Sequence, residues 1–196
     1  MMKNLKPIIF LFALFIIVSC KDNKKVEEVT KVEEVEVEEV VEGTEKKMDM
    51  SISLSPKSDS TVEGTVSFSQ SDGVVNMTAN MTGLTEGTHA IHIHQKADCS
   101  SADGKSTGGH WNPTAQPHGK WGDETGYHKG DIGNFEVAAD GIGTVTFATD
   151  QWCIGCGDDT KDIMGKAIIV HQGTDNFTSQ PSGAAGARVS CAGIIE

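Results

Sequence analysis

Seven histidines occur in 196 residues, and four of them, His89, His92, His94 and His110, fall within HAIHIHQKADCSSADGKSTGGHWNP at residues 89–113. On a strand, residues i and i+2 project to the same side, so His92 and His94 face together while Ile91 and Ile93 turn toward an apolar core. Two imidazoles on one face make half of a transition-metal site. The bare His-x-His pattern also fits two surface histidines, so the rest of the inventory decides. His110, His118, His128 and Asp131 follow at spacings of 8, 10 and 3, and His171 ends a later apolar run. Three imidazoles and a carboxylate are a complete tetrahedral zinc set. His92, His94 and His171 with one more imidazole form a four-nitrogen set suited to copper(II). The two sets ask for more nitrogens than six histidines offer singly, so one histidine must serve both metals. His89, at an odd offset from His92, turns to the opposite face and is expected to be a structural histidine.

The elements that must position these side chains are strands. STVEGTVSFSQ sets Val62, Gly64, Val66 and Phe68 on one face, and Val75, Met77, Ala79 and Met81 repeat the pattern after a Ser71-Asp72-Gly73 turn. Phe135 and Val137 precede an Asp140-Gly141 turn that Val145 and Phe147 follow; GKAIIVHQ and ARVSCAGII supply two further β-rich runs. No stretch past residue 48 sustains a 3.6-residue period, so the expected class is all-β, a sandwich or barrel. Residues 95–130 and 172–187 carry no strand pattern, and loops that long in a compact domain are usually functional.

The remaining sequence reads as address and tether. Lys3 and Lys6 precede an apolar run of 11 residues, Ile8 to Val18, too short to span a bilayer but suited to a secretory signal core. Ile17-Val18-Ser19-Cys20 resembles the lipobox of bacterial lipoproteins, which implies cleavage after residue 19 and lipidation of Cys20. Residues 21–47 hold 6 basic and 10 acidic side chains and no aromatic, and repeat Val-Glu-Glu-Val, so 20–47 is expected to be a lipidated cysteine plus solvated linker. The folded domain then spans 48–196. Without residues 1–19 the 16 basic side chains fall to 14 against 28 acidic, a net charge of −14 rather than −12. Nucleic acid is a poor partner for such a surface, and membrane contact is expected only through the lipid.

HAIHIH, GGHWNP, HKGDIGN, IIVHQ and GARVSC, in that order, resemble the Cu/Zn superoxide dismutases over essentially all of residues 50–196. That family is itself a standard example of the immunoglobulin-like β-sandwich, so the resemblance implies a Greek-key sandwich or flattened barrel. It implies copper on His92, His94, His110 and His171, and zinc on His110, His118, His128 and Asp131, with His110 the shared ligand. The implied activity is dismutation of superoxide, in which His110 also carries a proton. Arg188, the one arginine of the chain, matches the residue that orients the anion beside copper; Lys120 or Lys129 could add to the local positive field. Asp175 matches an aspartate that hydrogen-bonds one copper and one zinc histidine. Cys99 and Cys191 match the family disulfide. Cys153 and Cys156 are then left over, and since no βαβ pattern surrounds their Cys-x-x-Cys, a local disulfide is expected rather than a thiol site or a metal clip. The segment from His171 to Arg188 lacks the lysine and glutamate of many eukaryotic members, and nothing carries over their dimer interface, so the oligomeric state is open. A non-catalytic copper- and zinc-binding module of the same fold is the alternative. The lipobox places either in the cell envelope, facing the periplasm or the exterior.

Overall fold

The computed structural model describes residues 48–195. The expected signal peptide, Cys20 and the acidic linker lie outside the described residues. Eight strands build the fold: β1 (Met48–Pro56), β2 (Glu63–Ser71), β3 (Val74–Thr82), β4 (Gly87–His94), β5 (Gly133–Val137), β6 (Gly143–Thr149), β7 (Ala167–His171) and β8 (Arg188–Gly193).

Alternation makes one half of the barrel. Val66 and Phe68 of β2 and Val75, Met77, Ala79 and Met81 of β3 turn inward, and the two strands pair antiparallel across Asp72-Gly73. Both turn residues hold positive φ, 51° and 74°, the backbone whose twist matches a two-residue hairpin. β1 lies along β2 with Ile52 and Leu54 inward; the sequence reading assigns no strand before Val62, although Met48, Met50, Ile52 and Leu54 alternate with polar residues. β6 pairs with the far side of β3. Facing outward, in-register rows such as Ser51, Ser67, Thr78 and Thr146 are small and uncharged.

The other half follows a different rule. β7 is buried at every residue, as is β4 from His89 to His94. Ile91, Ile93, Ile168 and Val170 enter the main core, whereas Ala167, Ile169 and Cys191 form a second apolar cluster with Cys99 on the opposite face. Burial on both faces is why AIIV reads as a continuous apolar run. Each buried isoleucine or valine here contributes about 1.5–3 kcal/mol relative to exposure.

All neighbouring strands are antiparallel, in the order β5-β4-β7-β8-β1-β2-β3-β6. β1 joins the halves: Met48 to Leu54 pair with β2, then Ser55 and Pro56 pair with β8. The two ends of the sheet, β5 and β6, are consecutive strands connected through Asp140-Gly141, so the sheet curls into a nearly closed, flattened barrel of the expected class. Three long segments lie outside the strands: 95–132, which contains only a short 3₁₀ turn at Lys105–Thr107, 150–166, and 172–187. The first and the last of these meet at Asp175, which pairs with His118 of the long loop and with His92 of β4.

Candidate metal centre

Backbone contacts carry the long loop to the strand. Trp111 N–H donates to Ile93 O (2.8 Å), Ile93 N–H to Gly130 O (2.9 Å) and Gly130 N–H to Trp111 O (3.0 Å). The residues beside these anchors are His110 on one side and His128 and Asp131 on the other. Gly130 allows the closeness: a Cβ there would stand 2.2 Å from Ile93 O. His94 and His110 pair directly as a β-bridge. At the other strand, a register shift between Val170 and His171 sets His171 opposite Arg188, re-aiming both side chains at the barrel rim.

Two groups of buried donors result. His92, His94, His110 and His171 bring ligand-capable atoms within 4.8 Å of one another, and so do His110, His118, His128 and Asp131. Outer partners decide which nitrogen is available. His92 Nε2–H donates to Asp175 Oδ2 and His118 Nε2–H to Asp175 Oδ1, each at 2.9 Å. His94 Nδ1–H donates to Gly108 O (3.0 Å) and His171 Nδ1–H to Gly186 O (3.4 Å). That leaves His92 Nδ1, His94 Nε2, His110 Nε2, His118 Nδ1, His128 Nδ1 and His171 Nε2 buried with no hydrogen-bond partner. Six orphaned nitrogens would cost on the order of 1–3 kcal/mol each if nothing met them. They are ring nitrogens gathered around common centres, which is the arrangement a metal ion needs once it has displaced any proton they carry.

His110 belongs to both groups, and its two nitrogens differ in their surroundings. Its Nδ1 stands 2.8 Å from Asp131 Oδ1, whereas its Nε2 is unpartnered. His92 lies on the other side, with ring centroids 4.0 Å apart. His118 Nδ1 and His128 Nδ1 lie 3.0 and 3.2 Å from the oxygens of Asp131 without hydrogen-bond alignment. A tetrahedral ion with bonds of about 2.0–2.1 Å separates its ligands by roughly 3.3 Å, so these contacts are the edges of a shell. The donor chemistry fits zinc on this side and four-nitrogen copper on the other.

Electrostatics prepare the donors unequally. Burial, reinforced by neighbouring histidines, holds His94 and His171 well below the ordinary imidazole range. Burial also depresses His110 to about 4 despite the Asp131 carboxylate. Burial works against the charge on His118, but Asp131 and Asp175 outweigh it and raise it to about 9. Burial likewise disfavours the charge on Asp131, yet His110, His118 and His128 hold it far below the usual carboxylate range.

A cleft of about 580 Å³ opens over His94, His110 and His171, with Arg188 in its wall. Arg188 Nη1 donates to Gly104 O (2.8 Å) and Thr107 Oγ1 (3.0 Å), so the 3₁₀ turn fixes the guanidinium. Lys120 and Lys129 do not line this cleft; the lysine that does is Lys105, paired with Asp103. Lys129 turns instead to Gln151. Cys99 is bonded to Cys191, which ties the same turn-bearing loop to β8, and Cys153 is bonded to Cys156. His89 stays outside both groups, its two nitrogens against His171 O (3.0 Å) and Thr85 O (2.9 Å).

Residues beyond those expected from the sequence support the site. Asn134 holds Asp175 by a reciprocal pair of bonds, Nδ2–H to Asp175 O and Asp175 N–H to Oδ1, both 2.8 Å. Gln180 grips the backbone of His118 on both sides. At Gly183 a Cβ would fall 1.7 Å from Asp175 Oδ1. Only the glycine-rich run near 183 hinted at a close approach.

Residues 62–194 match the model of the copper/zinc superoxide dismutase family. Among solved structures, the chain is similar to a SOD-like protein from Bacillus subtilis. Its double mutant, with a tyrosine and a proline each replaced by histidine, is 30% identical at a TM-score of 0.66, covering 74% of this chain and 97% of that one. The proline-to-histidine single mutant is 28% identical at the same TM-score and coverage.

Proposed function

This chain belongs to the copper/zinc superoxide dismutase family, and from that premise we propose that it converts superoxide into dioxygen and hydrogen peroxide. His92, His94, His110 and His171 would hold copper; His110, His118, His128 and Asp131 would hold zinc. The observation that carries this reading is the division of His110, with Nδ1 against Asp131 and Nε2 unpartnered among the other four-nitrogen donors. When bound, copper supplies one-electron chemistry in both directions, and zinc, which has no redox chemistry, fixes its ligands.

The chain's own residues do the rest. Superoxide is an anion meeting a protein of net charge −12, so attraction must be local, and a charged group in a cleft can dominate the bulk field there. Arg188 supplies that charge beside His94, His110 and His171. Its bonds to Gly104 and Thr107 hold the guanidinium in place, which lowers the cost of orienting the anion. Each peroxide needs two protons, and His110, a residue of the cleft wall, would carry one of them at Nε2 whenever that nitrogen is not held by copper. Asp175 fixes His92 and His118 in the tautomers that present Nδ1. We also infer, from the apolar run and the lipobox-like Ile17 to Cys20, an envelope lipoprotein anchored at Cys20; two disulfides suit an oxidising compartment.

The test is superoxide decay by pulse radiolysis on Arg188→Lys, Arg188→Ala and Arg188→Glu beside the wild-type chain, at equal copper occupancy and several salt concentrations. Rates should fall in the order Arg, Lys, Ala, Glu, because lysine keeps the charge but loses the planar fork. Wild-type activity should decline with salt, since screening acts over about 10 Å at 0.1 M, and Arg188→Glu should lose or reverse that decline. A non-catalytic module would leave superoxide at its spontaneous decay rate in all four proteins.

A further inference from the structure

The segment between β6 and β7 carries chemistry that dismutation does not use. Cys153 is buried and Cys156 exposed, and Asp162 brings a carboxylate oxygen within 4.8 Å of both sulfurs. The loop that holds them is closed by more than its disulfide. Cys153 N–H donates to Lys161 O (2.9 Å) and Ile163 N–H to Cys153 O (3.1 Å). Asp162 Oδ1 accepts the N–H groups of Gly155 and Met164, both at 3.0 Å, and Oδ2 accepts that of Gly157 at 2.9 Å. Opening the S–S bond therefore leaves two thiols side by side against an anchored carboxylate.

Two uses of such a pair compete. A thiol-exchange centre needs its thiolate stabilised by positive charge or by nearby N–H groups. Here the amides of Gly155 and Gly157 are committed to Asp162, and the adjacent charge is negative. A carboxylate disfavours bare thiolates but favours thiolates neutralised by a cation. Oδ2 carries one amide and keeps a lone pair, and the exposure of Cys156 leaves room for water as a fourth ligand.

We propose that, once its disulfide is reduced, this loop binds one thiophilic divalent cation of the zinc type through Cys153 Sγ, Cys156 Sγ and Asp162 Oδ2, as a site separate from the histidine centre. Two thiolates and a carboxylate with an open position are an ordinary tetrahedral zinc donor set. The chemistry balances in two steps. An external dithiol passes two electrons and two protons to the S–S bond and becomes a disulfide itself. The cation then displaces both thiol protons. In the oxidised chain the sulfurs are bonded to each other, so the site exists only under reducing conditions.

The test uses the full-length chain with its histidine sites loaded with copper and zinc, and cadmium(II) as the probe. Thiolate-to-cadmium charge transfer absorbs in the ultraviolet, and the histidine centre contains no sulfur donor, so the band reports cysteine ligation alone. The reduced protein should bind one cadmium per chain with that band, zinc should displace it, and the oxidised protein should show none. Cys153→Ser/Cys156→Ser should abolish the band, which separates this pair from Cys99, Cys191 and Cys20. Asp162→Asn should weaken binding by about tenfold or more. The proposal is overturned by a reduced wild-type chain without the band, by an undiminished band in the double serine variant, or by unchanged affinity in a folded Asp162→Asn.

Discussion

His110 is a member of both donor groups, with Nδ1 beside Asp131 and Nε2 unpartnered, whereas His118 belongs to the Asp131 group alone. His110→Ala should therefore disturb the copper spectrum and zinc retention together, and His118→Ala should release zinc first; equal, independent losses in both variants, read by metal analysis and electron paramagnetic resonance, would contradict the shared ligand. Protonation gives a second expectation. In the metal-free chain the raised value of about 9 keeps a proton on His118 at neutral pH, while His94 and His171, depressed by burial, carry no such extra proton. Zinc must displace the His118 proton, so zinc affinity should rise about tenfold per unit as pH climbs toward 9 and level off above it. Calorimetry in two buffers of different ionisation enthalpy should find about one proton released at pH 7; none released would place the proton elsewhere. At this scale the donors themselves were legible, because histidine and aspartate are named by the sequence. Gly108 O and Gly186 O, which set the tautomers of His94 and His171, were not, because a backbone carbonyl has no letter of its own.

Strand pairing explains why donors scattered from residue 92 to 171 converge. β4 supplies two histidines from one face, and the Trp111–Ile93–Gly130 contacts dock the loop that carries four more donors. Gly130→Ala should break that docking, since the new Cβ would press on the Ile93 carbonyl. The expected cost is about 1–3 kcal/mol of stability, with zinc and copper both lost at lower chelator concentration than in wild type; normal metal retention in Gly130→Ala would show the loop to be held by other means. Period-two alternation made β2 and β3 readable, and the apolar run made β7 readable. β1 alternates equally well, yet MDMSISLSP follows a charged tether directly, and nothing local separates the start of a strand from the end of a linker. The register shift at His171 was invisible for a related reason: it is a relation between β7 and β8 rather than a property of either.

As a whole the molecule opposes its proposed substrate electrostatically and must overcome that at one place. Its net charge is −12, and Arg188 sits in the cleft wall beside three of the four-nitrogen donors. The Cys99–Cys191 bond spans 92 residues, contributing roughly 4–5 kcal/mol in the chain-entropy account, and it fixes the loop that holds the guanidinium against β8. Cys20→Ala should release the protein from membranes without altering activity per bound copper, because about 27 residues separate Cys20 from the fold; membrane retention in that variant would refute lipid anchoring. The central claim is catalysis by the copper group beside a zinc group. Its most direct test is the rate constant for superoxide decay, measured by pulse radiolysis on the zinc-loaded chain as copper is titrated in. The rate should rise in proportion to bound copper, level off at one copper per chain and persist through many turnovers. A chain filled with copper that removes superoxide no faster than its zinc-only form would contradict it.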